Sequence, residues 1–279
     1  MDKKQFDEFF AIHSQNVDNA KSLGFWSLTD ALLEEFLMEQ MPVRKNIHLV
    51  DFGGGTGRWL QALDHYFEDC TFTIVDLSDD MLAQAQKKID AGIFKNTIHL
   101  VKSDISAIND LKNDSADYII STYNPLSFVP EPQLAIKEAF RILKSGGVAM
   151  ITVQGYYNAL YSKLNNSVAD APELLSILNE KKVKWNPIVP ALWQLSKQDM
   201  SNLFDTAGFS SVEFRGIATI IQPQGEDFDP ENKQLGPISK KLNEDPAFYE
   251  AVLSLERTVS KDQNAIDRAM NILTIGRKS

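Results

Sequence analysis

Four glycines crowd into five positions of the segment Leu49–Leu60, LVDFGGGTGRWL: Gly53, Gly54, Gly55 and Gly57. An apolar, β-branched run enters through Asp51, and a helix-like run leaves from Arg58. Glycine is needed where the backbone takes positive φ or must lie flush against a ligand that a Cβ would strike. The helix that follows offers unpaired N–H groups to anything negative or polar. Residue type and spacing therefore describe a strand–loop–helix cradle for a ligand, and four glycines exceed what a bare turn needs. A dinucleotide loop, G-x-G-x-x-G, is excluded because the third glycine counted from Gly53 falls on Arg58, and no Gly-Lys-Ser/Thr follows to make a Walker loop.

Side chains able to move a proton or bind a metal are sparse. Of the four histidines, His48, His65 and His99 sit at a strand start, a helix end and a strand interior, where structural roles are expected. His13, in a helix-like segment ahead of the core, is the histidine able to reach a ligand. Tyr156 and Tyr157 follow directly on a strand and are the other candidates for touching a substrate, ahead of Phe25, Trp26, Trp185 and Trp193. No cluster of His, Cys and acids has ligand spacing, so no metal is expected.

The elements that must position these residues alternate. His48–Gly53, Thr71–Leu77, Thr97–Ile105, Ala116–Tyr123 and Gly147–Gln154 read as strands rich in β-branched and aromatic residues. Arg58–Tyr66, Asp79–Ala91 (with Ser78 as N-cap) and Pro132–Leu143 read as helices between them. Strands alternating with helices imply βαβ units, hence an α/β fold with a doubly wound, mostly parallel sheet covered on both faces. A last helix, Lys197–Ala207, and strands at Ser210–Ile221 and Met270–Arg277 bring the expected sheet to seven strands. The chain thus reads as one domain: a helical N-terminal cap (1–46), a ligand-binding half (47–154), two lid-like insertions (155–196 and 222–265), and closing elements (197–221 and 266–279). A further helix is expected around Ala247–Val259.

The pattern Asp51-x-Gly53-x-Gly55-x-Gly57 resembles the first motif of class I S-adenosylmethionine-dependent methyltransferases. A strand-end acid about 20 residues beyond the glycines holds ribose hydroxyls in such folds, and Asp76 closes TFTIVD 19 residues after Gly57. The resemblance further implies that Leu77 and Met81 cover the adenine, and that Asp104 and Ile105 meet its amino group and a ring nitrogen. Tyr123, at the end of the fourth strand, faces the methionine part of the cofactor and the acceptor. The family's amino-methyltransferases carry Asn/Asp-Pro-Pro-Tyr/Phe at this strand end. Here Asn124-Pro125 is followed by Leu126-Ser127, which counts against exocyclic-amine chemistry and leaves Asn124 without a role. Glu138–Gly147 also resembles the family's link into the fifth strand. The implied cofactor is S-adenosylmethionine, with S-adenosylhomocysteine as product.

Composition narrows the acceptor. The chain has 279 residues, 28 Lys plus Arg against 38 Asp plus Glu, and a formal net charge of −10. That balance disfavours nucleic acid, which needs clustered cations. The Lys181, Lys182 and Lys184 run reads as solvated surface. A single cysteine points to a reducing, cytoplasmic setting, and neither a secretory leader nor a membrane-spanning run is read. The expectation is methyl transfer to O, N or C of a small molecule, with a homodimer through the Pro-rich second insertion. A protein or RNA methyltransferase, and a cofactor-binding module without transferase activity, are the alternatives; Arg58 disfavours an NAD enzyme.

Overall fold

The computed structural model describes residues 3–166, 169–185, 187, 189–228 and 235–279. Five parallel strands form its centre: β1 (His48–Phe52), β2 (Thr71–Asp76), β3 (Thr97–Lys102), β4 (Ala116–Ser121) and β5 (Leu143–Gly155). They lie in the order β3-β2-β1-β4-β5. Two short strands, β6 (Lys182–Val183) and β7 (Leu192–Leu195), belong to the first insertion. The closing strands are β8 (Ser211–Ile217) and β9 (Asn271–Arg277), with β9 antiparallel to both β5 and β8.

Alternating burial explains why helices cover both faces. Leu49, Tyr118, Ile120 and Met150 enter one core cluster, while Val50, Ile119, Ala149 and Ile151, the residues between them, enter the other. Successive side chains of a strand point to opposite faces, so near-continuous apolar strands require cover on both. The first face is covered by α2 (Gly24–Gln40), α3 (Arg58–Leu63), α10 (Pro237–Glu244) and α11 (Pro246–Val259). The second is covered by α6 (Pro132–Ile142) and α9 (Lys197–Ala207), with α5 (Pro125–Phe128) beside them. Helix α4 (Asp79–Asp90) starts at Ser78, whose hydroxyl accepts the Met81 N–H. Helix α1 (Lys3–Asn16) lies over the strand ends, and α7 (Tyr156–Asn165) and α8 (Ala171–Glu180) form the rest of the first insertion.

Three differences from the sequence reading have physical causes. The segment read as a cap has two roles: α2 buries Leu28, Leu32, Phe36 and Leu37 against the sheet, while α1 alone covers the ligand side. Among the described residues the sheet has nine strands rather than seven. Gln154 pairs with Asn271 on one edge and Gln194 on the other, so β7 takes the edge of β5 that β4 leaves after Ser121. Strand β5 also begins at Leu143 and runs through the expected helix-ending Lys144–Gly147. A register shift absorbs the extra residues, with Gly146 at φ +80.

Candidate active site

The carboxyl ends of β1, β2, β3 and β4 face one cleft, as expected for ligands beyond the carboxyl ends of an open α/β sheet. Gly53, Gly54, Gly55 and Thr56 after β1, Asp76 and Leu77 at the end of β2, Met81 on α4, Ser103, Asp104 and Ile105 after β3, and Thr122 and Tyr123 after β4 line it. The glycine loop is held from below, where the Gly53 N–H donates to the Val75 carbonyl at 2.7 Å. Gly53 adopts φ +68, and a Cβ there would lie 2.4 Å from Pro125 Cβ. Gly57 takes φ +72 as N-cap of α3, and a Cβ there would lie 2.8 Å from Ile74 Cδ1. Its role is the turn and the packing; it does not line the cleft.

Asp76 joins the two arms of the cradle. One carboxylate oxygen accepts the Gly55 N–H at 2.9 Å and the other accepts the Ser78 N–H at 2.8 Å. Burial pushes its pKa up to about 6, against the pull of the Ser78, Gly55 and Leu77 backbone groups. The cap of α4 is Ser78, so Asp76 is left to face the cleft. Asp104 accepts both the Ser106 N–H and hydroxyl through one oxygen. Its other oxygen takes no hydrogen bond among the described residues.

Asp51 is one layer behind the wall. Its carboxyl is buried beneath Gly54, where a Cβ would come within 2.7 Å of it. Neither oxygen has a hydrogen-bond partner among the described residues. Burial, with the nearby Asp76 charge, pushes its pKa up to about 8. A buried carboxyl without a donor is complementary to a cation or N–H from outside the chain. S-adenosylmethionine, with its ribose diol and its flat base, suits the strand-end Asp76 and the apolar Leu77, Met81 and Ile105 that line the cleft.

The far half of the cleft is apolar and roofed. Phe6, Phe10, His13 and Val17 present one stripe, opposite Trp59, Pro125, Phe128, Val129 and Pro130. Spacings of four and three residues place Phe6, Phe10 and His13 on one face of α1, and Val17 follows directly after it. The stripe is visible in the sequence, but what it covers is not. The Phe10 and Phe128 rings lie 5.3 Å apart, and His13 stacks on Phe9 at 5.4 Å. The foot of this roof is pinned by Asp18, which pairs with Lys88 at 2.6 Å and accepts the Thr56 hydroxyl at 2.7 Å.

Beneath the roof lies a buried polar group that sequence reading did not find. Arg58 forms an ion pair with Asp30, and the Tyr123 hydroxyl donates to the same carboxylate. The guanidinium lies 5.6 Å from the ring centroids of both Trp59 and Tyr123. Burial raises the Asp30 pKa, opposed by the Arg58 charge, and burial with the Asp30 charge carries Tyr123 well above the usual phenol range. Tyr123 and Asn124 both have left-handed backbones, φ +55 and +74, a strained pair for non-glycine residues. The turn aims Tyr123 at the cleft, while Asn124 donates to Asn271 away from it.

The structure does not bring Tyr156 or Tyr157 to the cleft. Tyr156 packs with Ala159, Ile177 and Val183 in a separate cluster, and Tyr157 is 53% exposed. Trp185 and Trp193 donate to Gln154 and to the Val129 carbonyl and do not line this cleft. Phe25 is core, and Trp26 meets the Tyr123 ring edge to face from outside the lining. His48 is held between Ser115 and Thr73.

Comparison with known proteins agrees with this geometry. A family model described as a methyltransferase domain matches residues 49–147, the β1–β5 half. The chloroplastic 2-methyl-6-phytyl-1,4-hydroquinone methyltransferase 1 of Oryza sativa is 27% identical over 149 residues, 53% of this chain and 43% of that protein. The match thus spans less than half of the plant protein's length. The ubiquinone/menaquinone biosynthesis C-methyltransferase UbiE of Roseobacter denitrificans is 25% identical over 202 residues, 67% of this chain and 76% of that one. A solved S-adenosylmethionine-dependent methyltransferase of Thermotoga maritima shares the fold, with a TM-score of 0.55 at 17% identity, over 97% of this chain and 100% of that one. By motif, topology and family match, residues 49–147 form a methyltransferase domain, and the fold is that of the S-adenosylmethionine-dependent methyltransferases.

Proposed function

We propose that the protein transfers a methyl group from S-adenosylmethionine to an O, N or C nucleophile of a small, apolar acceptor. One observation carries the reading: a single cleft runs from the acids at the strand ends, Asp76 and Asp104, to the aromatic roof of Phe6, Phe10 and Phe128. The bound cofactor would supply an electrophilic methyl group, and the protein's part is alignment and exclusion of water. Asp76 would hold the ribose hydroxyls and Leu77, Met81 and Ile105 the base, with Asp104 toward its amino group. Gly53, Gly54 and Gly55 would admit the methionine half, and Gly57 and Asp51 would act from behind them. Tyr123, held by Asp30 and Thr29, marks the boundary with the acceptor half.

The hydroquinone and quinone named for the two relatives have flat six-membered rings, a shape that such walls accommodate. A net charge of −10 and the apolar roof favour a small molecule over nucleic acid. The one cysteine, Cys70, is a buried free thiol, which suits the cytoplasm. No helix among the described residues is long and apolar enough to cross a membrane. Two copies pairing through the second insertion complete the proposal.

The test is incubation with S-adenosylmethionine and a panel of hydroquinones, catechols and amines. Mass spectrometry is expected to find one singly methylated product formed in step with S-adenosylhomocysteine. Binding of the cofactor with no product on any acceptor would contradict the transferase reading.

A further inference from the structure

We infer that His13 is the residue that takes the acceptor's proton, and that it arrives on the roof helix rather than on the sheet. The inference rests on the transferase reading above. Three observations carry it. His13 lies on the cleft-facing stripe of α1, in the half that the cofactor acids do not occupy. Among the described residues neither ring nitrogen makes a hydrogen bond, although the ring is held by its stack on Phe9. The other titratable and charged groups lining the cleft are paired or lie away from the roof. Arg58 on α3 is paired with Asp30 on α2, and Tyr123 donates to Asp30. Asp76 and Asp104 lie at the far strand ends, and Asp18 is paired with Lys88 at the foot of the roof.

The surroundings keep this imidazole neutral. Burial lowers its pKa from 6.5, and the Arg58 charge lowers it further. At neutral pH the ring therefore holds a free lone pair, the form a base requires. In the step, the nucleophile's O–H or N–H proton passes to the free imidazole nitrogen, giving imidazolium. The electron pair left on the nucleophile forms the new bond to the methyl carbon, while the C–S pair returns to sulfur. The imidazolium then releases its proton to water.

Imidazole nitrogen NMR on the whole protein tests this, with His13 assigned by comparison with His13→Gln. Three results are expected. His13 titrates below 6.5 in the free protein. Phenol, a minimal acidic O–H probe, shifts the His13 nitrogens in protein saturated with S-adenosylhomocysteine. His13→Gln weakens phenol binding at least fivefold while the S-adenosylhomocysteine Kd stays within twofold. A His13 that carries its proton at pH 7, or phenol binding unchanged in His13→Gln, overturns the assignment. Failure of S-adenosylhomocysteine to bind the wild type would instead overturn the transferase reading, and the His13 titration of the free protein is read independently of it.

Discussion

Asp76 accepts the Gly55 N–H at 2.9 Å, so the carboxylate that ends one strand fixes the loop that follows another. The bond spans 21 residues and joins two halves of a binding cradle before any ligand enters. Such pre-organisation lowers the ordering cost of binding. It also gives Asp76 two duties, toward the loop and toward a ligand, which makes the cradle sensitive to this side chain.

The glycine loop offers a controlled comparison. Gly53 and Gly92 have nearly the same φ, +68 and +66, but a Cβ at Gly53 meets Pro125 at 2.4 Å while one at Gly92 meets nothing within 4 Å. Alanine at either position suffers the left-handed penalty of roughly 1–2 kcal/mol. Gly53→Ala adds overlap worth about 1–3 kcal/mol. Thermal unfolding is expected to show Gly53→Ala several degrees below Gly92→Ala; equal losses would mean that Pro125 does not confine the loop.

Asp51 dictates a pH dependence. Its folded-state pKa, about 8, lies above the unfolded value near 3.8. The folded protein therefore binds the proton more tightly than the unfolded chain does. The stability from this group is full below pH 4 and is lost as pH rises through 8. Tm measured from pH 4 to 8 is expected to fall less steeply in Asp51→Asn than in the wild type. Parallel slopes would show that the buried carboxyl is ionised throughout.

The Arg58–Asp30 pair, buried beside Tyr123, is expected to be costly to break and cheap to replace as a unit. Arg58→Met strands the Asp30 carboxylate, and removal of one partner of a buried pair costs about 3–5 kcal/mol. Denaturant unfolding is expected to show that loss in the single variant and a recovery of more than half of it in Asp30→Asn/Arg58→Met. A double variant no more stable than the single one would refute this electrostatic account.

The roof hangs partly on Asp18. Its bonds to Lys88 and Thr56 are part-buried at the edge of the roof, and such an ion pair is worth roughly 1 kcal/mol. Asp18→Ala is expected to raise amide exchange across Lys3–Asn16 up to about fivefold while the exchange of β1 and β4 stays unchanged. A rise shared by the sheet would mean that Asp18 supports the core.

How far the site could be read from sequence follows from how local each part is. The glycine loop, Ser78 and Asp76 lie within one βαβ unit, where spacing alone defines them. Alternating strands likewise declare the sheet, because each strand's apolar pattern is its own record of burial on two faces. Gln194 joining Gln154 left no such trace, since a four-residue strand inside an insertion has no periodicity to detect. The Asp30 carboxylate meets Arg58 across 28 residues and Tyr123 across 93, and nothing in a single sequence links such positions. The motif spacing of Asp51 does not say on which side of the loop its carboxyl lies, and the backbone turn at Gly54 places it underneath. Tyr156 and Tyr157 follow a strand's carboxyl end, but β5 extends past its neighbours and carries them beyond the cleft.

The central claim is that these strand ends form an S-adenosylmethionine site organised by Asp76. Isothermal calorimetry of S-adenosylhomocysteine with the wild type and Asp76→Ala tests it most directly. One site per chain is expected, weakened about 10- to 100-fold in Asp76→Ala, as expected when bonds to a charged acceptor worth roughly 1.5–3 kcal/mol are lost. No binding by the wild type, or equal affinity in a folded Asp76→Ala protein, would contradict the account.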